Sequence, residues 1–202
     1  DFVNKLDIPS SKHILLTSEN QYDLKKIMSE INIPCIVKPN NGGSSIGVSK
    51  VNHINDLENK IKIAFKECNE VLIEDFLFGK EVSVGVIQKK DKRIILPVTE
   101  IISENELFDY EAKYLGQSTE ITPANISNEE KNLIQKYINI IYDNIEFNGF
   151  TRSEFIIVDG IPHILETNTI PGFTKQSIIP QQIEAHGLSV KDEINYQIES
   201  IL

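Results

Sequence analysis

The chain has 202 residues, 40% of them hydrophobic and 25% charged, a composition that suits a compact domain or two small lobes and excludes a disordered segment. Its net charge of −10 excludes nucleic acid or an anionic membrane surface as the main partner, since both demand a basic footprint. A nucleotide remains possible, because its site needs only a few local donors and a metal.

No apolar run approaches the roughly 20 residues of a membrane helix, and no signal peptide is present, so a cytoplasmic protein is expected. Cys35 and Cys68 lie in apolar or helical contexts without a CxxC, and read as reduced packing residues. The first residue is Asp1, and Asp1–Pro9 reads as the tail of a helix, so a fragment of a longer protein is expected.

The spacing of Leu24, Ile27, Met28 and Ile31 predicts a helix over Asn20–Ile31, stopped by Pro34. Cys35–Lys38 follows as a short buried strand, then a Gly/Ser/Asn-rich loop, Asn40–Gly47, and a strand at Val48–Val51. Asn55–Phe65 reads as a helix, and Val71–Phe76, Glu81–Gln88 and Arg93–Thr99 as strands. The polar stretch Asn105–Pro123 is too long for an ordinary connection and is a functional-loop candidate, expected to act as a mobile lid. Ser127–Ile145 is a long amphipathic helix opened by a Ser127-x-x-Glu130 capping box. Phe150–Val158 and His163–Glu166 form a hairpin around Asp159-Gly160, and Ser189–Ile201 closes the chain as a helix. Strands joined by tight turns and interrupted by helices predict an α+β fold with antiparallel sheets.

Several of these segments could carry chemistry. In Asn40–Gly47, small residues allow backbone N–H groups to close around phosphates, yet the composition equally suits a flexible hairpin turn. It is not a P-loop, because no Gly-Lys-Ser/Thr follows. Lys38 sits in an apolar strand and must either snorkel outward or face a partner charge. Glu74 and Glu81 end one strand and begin the next, where they could accept from an exocyclic amine and from ribose, or be ordinary surface carboxylates.

The sharpest feature is Arg152-x-Glu154 on one hairpin arm and Glu166-x-Asn168 on the other. Period-two spacing points each pair to one face, and pairing across the hairpin can gather Glu154, Glu166 and Asn168 into an all-oxygen cluster. Mg²⁺ suits such a set; the alternative is a surface salt-bridged through Arg152. Thr169–Thr174 makes a tight turn in which Gly172 can offer its N–H. The four histidines are scattered, and no serine has a His/Asp pair that would support a hydrolytic triad.

Taken together, Ile36-Val37-Lys38-Pro39, Gly43-Ser44-Ser45-Ile46-Gly47-Val48, Val71-Leu72-Ile73-Glu74, Phe108-Asp109-Tyr110-Glu111-Ala112-Lys113-Tyr114 and Leu165–Thr174 resemble the D-alanine–D-alanine ligase family, in order and at similar spacing. The resemblance covers nearly the whole chain. It implies an ATP-grasp fold over residues 1–202, with lobes of about 1–100 and about 101–202, ATP held between their antiparallel sheets, and the family's N-terminal substrate domain absent.

By that resemblance, Lys38 contacts adenine and the α-phosphate, Glu74 the adenine amine, the Leu77 backbone the ring edge and Glu81 the ribose, with Leu165 also at the nucleotide. Ser44 and Ser45 belong to the phosphate-covering loop, and Lys113 reaches the γ-phosphate. Glu154, Glu166 and Asn168 bind two Mg²⁺ (or Mn²⁺) ions. The implied reaction phosphorylates one D-alanine and lets the amine of a second attack the acylphosphate, for peptidoglycan synthesis. Arg152 and the Gly172 N–H would stabilise the oxyanion, Ser44 and Tyr114 would join them as catalytic residues, and Ser177 and the Ile178 N–H would hold the second substrate's carboxylate.

The resemblance further implies a homodimer in the full-length protein, with ATP and D-alanine as its small-molecule partners. Two departures stand out: Glu154 replaces the family's usual Asp, and a nucleotide-contacting lysine would fall just ahead of Asp1. A D-alanine–D-lactate type ligase and a non-catalytic ATP-binding module are the competing readings. Tyr114 speaks against lactate, because lactate-type ligases carry histidine thereabouts. The isolated chain is expected to bind Mg·ATP but make little dipeptide.

Overall fold

The structure is a computed structural model that describes residues 2–19, 21–43, 45–103, 118–200 and 202. It divides into two compact units, one built around Ser11–Leu77 and one around Phe78–Ile102, Thr119–Leu202 and the N-terminal residues through Ser10. The division expected near residue 100 therefore falls at Leu77/Phe78. The cause is pairing: the strand that follows, Lys80–Lys89, is matched along nearly its whole length by Gly149–Val158. The N-terminal segment joins the same unit because Ile8 is buried in its core and Pro9 accepts a hydrogen bond from Ile164 N–H at 2.8 Å.

The Ser11–Leu77 unit contains β1 (His13–Leu16), α1 (Leu24–Glu30), β2 (Cys35–Pro39), β3 (Ser49–Val51), α2 (Leu57–Phe65) and β4 (Val71–Asp75). Its antiparallel sheet runs β1-β4-β2-β3. Alternation along β2 and β4 buries Cys35, Val37, Val71 and Ile73 against Ile27 of α1 and Leu57, Ile61 and Ala64 of α2. Ile36, Lys38, Leu72 and Glu74 are left on the other face. The helix predicted from Asn20 starts only at Leu24, because Asp23 takes the N-cap and accepts from Lys25 N–H at 2.9 Å. Both cysteines are free, and burial pushes the Cys35 thiol up to about 11.

The second unit opens with a short helix at Phe2–Lys5, then β5 (Lys80–Lys89), β6 (Lys92–Ile95), β7 (Thr99–Ser103), β8 (Ser118–Ile121), α3 (Asn128–Asn144), β9 (Gly149–Val158), β10 (Ile161–Asn168), α4 (Ile178–Ala185) and α5 (Val190–Glu199). Its six strands run β10-β9-β5-β7-β8, with β6 also on β5. The capping box is present: Ser127 Oγ accepts from Glu130 N–H at 3.1 Å, and Glu130 accepts from Ser127 N–H at 2.7 Å.

The strand expected at Arg93–Thr99 is in fact two, β6 and β7, separated where Pro97 can donate no ladder bond. Within the stretch read as irregular, Asn105–Pro123, residues 118–121 form β8; residues 104–117, with the expected lid, lie outside the described residues. Neither β1 nor α4 was signalled by periodicity. Among the described residues no helix is long and apolar enough to cross a membrane.

One face of this sheet is closed by α3. Val82, Val84 and Val86 of β5, Phe155 and Ile157 of β9 and Ile164 of β10 meet Ile134, Tyr137, Ile138, Ile141 and Tyr142. The opposite face is covered in part by α4, whose Ile179 and Ile183 meet Ile87, Ile94 and Leu96. The rest of that face carries Arg152 and Glu154 of β9 and Glu166 of β10.

Candidate functional site

The β9/β10 hairpin brings together what its sequence suggested. Glu166 stands directly opposite Glu154, and Asn168 directly opposite Arg152. A register shift between Ile164 and Glu166 makes this possible. In a regular strand these two residues would share a face; the extra residue, Leu165, reverses the parity. Ile164 can then stay in the core opposite Phe155 while Glu166 joins Glu154 on the other face. Leu165 itself is half-buried.

Arg152 donates to Glu154 Oε1 from Nε at 3.1 Å and from an Nη at 2.8 Å. Only 5% of the Glu154 side chain and 14% of that of Arg152 is exposed, so the pair is little screened by solvent. The salt bridge that sequence offered as an alternative to a metal cluster is therefore present. Both of its bonds land on a single oxygen of Glu154, and Glu166 lies opposite Glu154 in register. The Asn168 side-chain oxygen accepts from Ile170 N–H at 2.9 Å, which fixes its orientation.

Among the described residues no group of three or more His, Cys, Asp or Glu could hold a metal. The set here is instead two carboxylates and an amide. These are hard oxygen donors, the kind that Mg²⁺ takes in small number when phosphate and water complete its shell, so the residues fit that ion.

In the other unit, the choice posed by Lys38 is resolved by a partner. Its Nζ lies 2.5 Å from a Glu74 carboxylate oxygen, on neighbouring strands β2 and β4. Leu77 is half-buried in the segment after β4, and Glu81 lies in β5 opposite Ile156 and Ile101. The glycine-rich segment forms tight turns, with Ile46 N–H bonded to Gly43 O and Val48 N–H to Ser45 O, both at 3.2 Å. Ser45 adopts a left-handed conformation there, φ 58°. Ser44, Lys113 and Tyr114 lie outside the described residues.

Downstream of the hairpin, Ser177 caps α4 by position but not by side chain. Its Oγ instead meets Thr174 N–H at 3.1 Å and Thr174 Oγ1 at 2.9 Å, and a Cβ at Gly172 would come within 3.1 Å of it. Gly172 and Ser177 are thus folded against each other, with Ile178 as the first residue of the helix.

One group escaped the sequence reading. Glu120 of β8 receives a hydrogen bond from Gln181 Nε2 at 3.1 Å and feels the charge of Arg152. Burial pushes its carboxyl above the usual range, opposed by those two contacts. A lone glutamate in a polar stretch gives no periodic signal, and only the strand that holds it reveals its place.

The family model described as D-ala D-ala ligase C-terminus matches residues 2–199. The chain belongs to the D-alanine–D-alanine ligase family. It is 49% identical to a D-alanine–D-alanine ligase from Flavobacterium johnsoniae over 91% of its own length, and spans 57% of that relative. Among solved structures, the VanG D-Ala:D-Ser ligase from Enterococcus faecalis superposes with a TM-score of 0.84 at 30% identity, over 98% of this chain and 58% of that one. The D-alanyl-alanine synthetase A from Vibrio cholerae gives 0.85 at 25% identity, over 98% and 62%. The fold is accordingly the α+β ATP-grasp fold of the D-alanine ligases.

Proposed function

We propose that the complete protein is an ATP-dependent carboxylate–amine ligase that joins two D-alanines through an acylphosphate, supplying peptidoglycan precursors in the cytoplasm. The observation that carries this reading is the 49% identity, over 91% of the chain, to a protein named D-alanine–D-alanine ligase.

In this reading Lys38 and Glu74, already held as an ion pair, take the adenine side of the nucleotide. The Leu77 backbone, Glu81 and Leu165 complete its contacts, and Ser44, Ser45 and Lys113 meet its phosphates. Glu154, Glu166 and Asn168 would hold Mg²⁺ or Mn²⁺; bound there, the ion would offset phosphate charge. Arg152, fixed by its bonds to Glu154, and the Gly172 N–H are donors for the oxyanion that forms when the acceptor amine attacks. Preorganised donors lower the barrier because they need no rearrangement as charge develops. Ser44 and Tyr114 act beside them. Ser177 and the Ile178 N–H at the start of α4 take the acceptor's carboxylate, where the helix terminus favours negative charge. The functional protein is a homodimer.

The test is phosphate release and dipeptide formation by the complete protein with ATP, Mg²⁺ and D-alanine, D-serine or D-lactate as acceptor. D-alanine-dependent release with D-alanyl-D-alanine as product is expected. Faster turnover with D-serine would move the acceptor assignment toward the VanG type. ATP binding without any product would make the protein a nucleotide-binding module.

A further inference from the structure

Helix α4 begins at Ile178, after Ser177 at its N-cap, and two consecutive glutamines in it bond to the strands beneath and beside it. Gln182 is wholly buried. Its Oε1 accepts from Gly85 N–H at 2.8 Å, and its Nε2 donates to Ser83 O and to Thr99 Oγ1, both at 2.9 Å. These groups lie where the edge of β5 changes partner, from β7 over residues 81–83 to β6 over residues 86–89. The glutamine amide therefore stands where a neighbouring strand's peptide would be, answering backbone groups that the ladder leaves over.

Gly85 admits this arrangement: a Cβ there would come within 2.5 Å of both Gln182 Oε1 and Ile179 Cδ1. Thr99 is anchored in turn to Thr122 at 2.6 Å. Gln181 reaches the other way, to Glu120 at 3.1 Å and to Gln176 O at 2.9 Å. Apolar contacts such as Ile179 and Ile183 supply adhesion but allow a helix to slide or rotate. Hydrogen bonds to fixed backbone groups tolerate only a few tenths of an ångström before they weaken. Ser177 contributes no side-chain cap, so the placement of the turn depends on this pair and on the Thr174 contacts.

We infer that Gln182, assisted by Gln181, is a positioning residue for the acceptor amino acid: it locks α4 to β5 so that Ser177 and the Ile178 N–H meet the acceptor carboxylate at bonding distance. The inference rests on the ligase reading above.

Steady-state kinetics of the complete protein test it, with Gln182→Met and Gln181→Met as replacements of similar length that cannot make the amide bonds. Gln182→Met is expected to raise the Michaelis constant for the acceptor about tenfold, the scale of one or two hydrogen bonds, and to leave that for ATP within about twofold. Gln181→Met, which is only half-buried and spares the core, should shift the acceptor constant in the same direction by less. A wild type that binds ATP but forms no dipeptide overturns the ligase reading and this inference with it. A wild type that forms dipeptide, beside variants whose melting temperature falls while the acceptor constant is unmoved, or whose ATP constant rises equally, overturns the positioning role alone.

Discussion

The two faces of the six-stranded sheet differ in how much charge and polar matter they bury. Beneath α3 the strands present Val82, Val84, Val86, Phe155, Ile157 and Ile164, and the helix answers with side chains of the same kind. On the other face, beside the apolar cluster of Ile87, Ile94 and Leu96 under α4, the sheet buries Glu154, Ser83 and Thr99, with Gln182 of α4 set against them. Its acids stand opposite one another in register. Ser83 Oγ, on the residue paired with Glu154, has no hydrogen-bond partner among the described residues. The first face is mostly apolar, its buried polar residues Thr151 and Ser153 being hydrogen-bonded to Tyr142 and Thr167. The second spends stability on arranged polar groups, and such departures mark function when a fold is otherwise self-consistent.

That contrast is broken most forcefully from the apolar side. Phe155→Ala should cost about 3–5 kcal/mol in urea unfolding, since it removes a fully buried ring from a packed site. Kinetic constants per folded molecule should hardly change. If activity falls while stability holds, the faces are not separable as described.

On the polar side the expected effects reverse. Glu166→Gln should lower turnover of the complete protein by about 100-fold or more, the scale of losing a group that meets reacting charge. The melting temperature in chelator should stay level or rise, because one of two directly opposed carboxylates is gone. Mg²⁺ should stabilise the wild type more than the variant. A variant that melts well below wild type in chelator, with Mg·ATP stabilising both equally, would make Glu166 a structural partner of Arg152 and end the metal assignment.

A smaller effect sharpens the apolar half of the comparison. Ser127→Ala breaks the capping box of α3 and should cost about 1 kcal/mol by thermal or urea unfolding. No Michaelis constant should move, because α3 serves only the core face.

Much of this contrast was legible in the residues. The 3.6 period of Ser127–Ile145 and its capping box predicted α3 to within a residue, and the Asp159-Gly160 turn predicted the hairpin. Period two correctly placed Arg152 with Glu154 and Glu166 with Asn168. The bulge at Leu165 was not visible, since no residue type there demands one, yet it is what lets Ile164 and Glu166 serve different faces. Helix α4 was missed because Ile178-Ile179-Pro180 reads as an apolar turn until tertiary contacts bury it. The split of β6 from β7 is carried by Pro97, whose missing N–H interrupts a run that is otherwise strand-like in composition. Nothing in the sequence marks Gln182 as buried; its place follows from the gap in the edge of β5, whose groups it bonds.

The smallest predicted effect asks whether hydrogen bonding or charge holds the polar face together at its β8 edge. Burial raises the Glu120 carboxyl, against the hydrogen bond from Gln181 and the charge of Arg152. A carboxyl whose folded pKa lies above its unfolded one binds its proton more tightly in the folded state. Its contribution is thus fully present below the unfolded value of about 4.3 and is lost as pH rises through the folded value. At neutral pH the ionised group opposes folding. Glu120→Gln stays neutral throughout, and its amide oxygen can still accept from Gln181. The variant should match wild type in melting temperature near pH 4 and exceed it at pH 7 by about 1–3 °C, a small gain because the group is only half-buried and solvent screens it. An offset identical at every pH would point to packing instead. A variant less stable than wild type at pH 7 would mean that attraction to Arg152 outweighs burial, and that this edge is held by charge rather than by the glutamine.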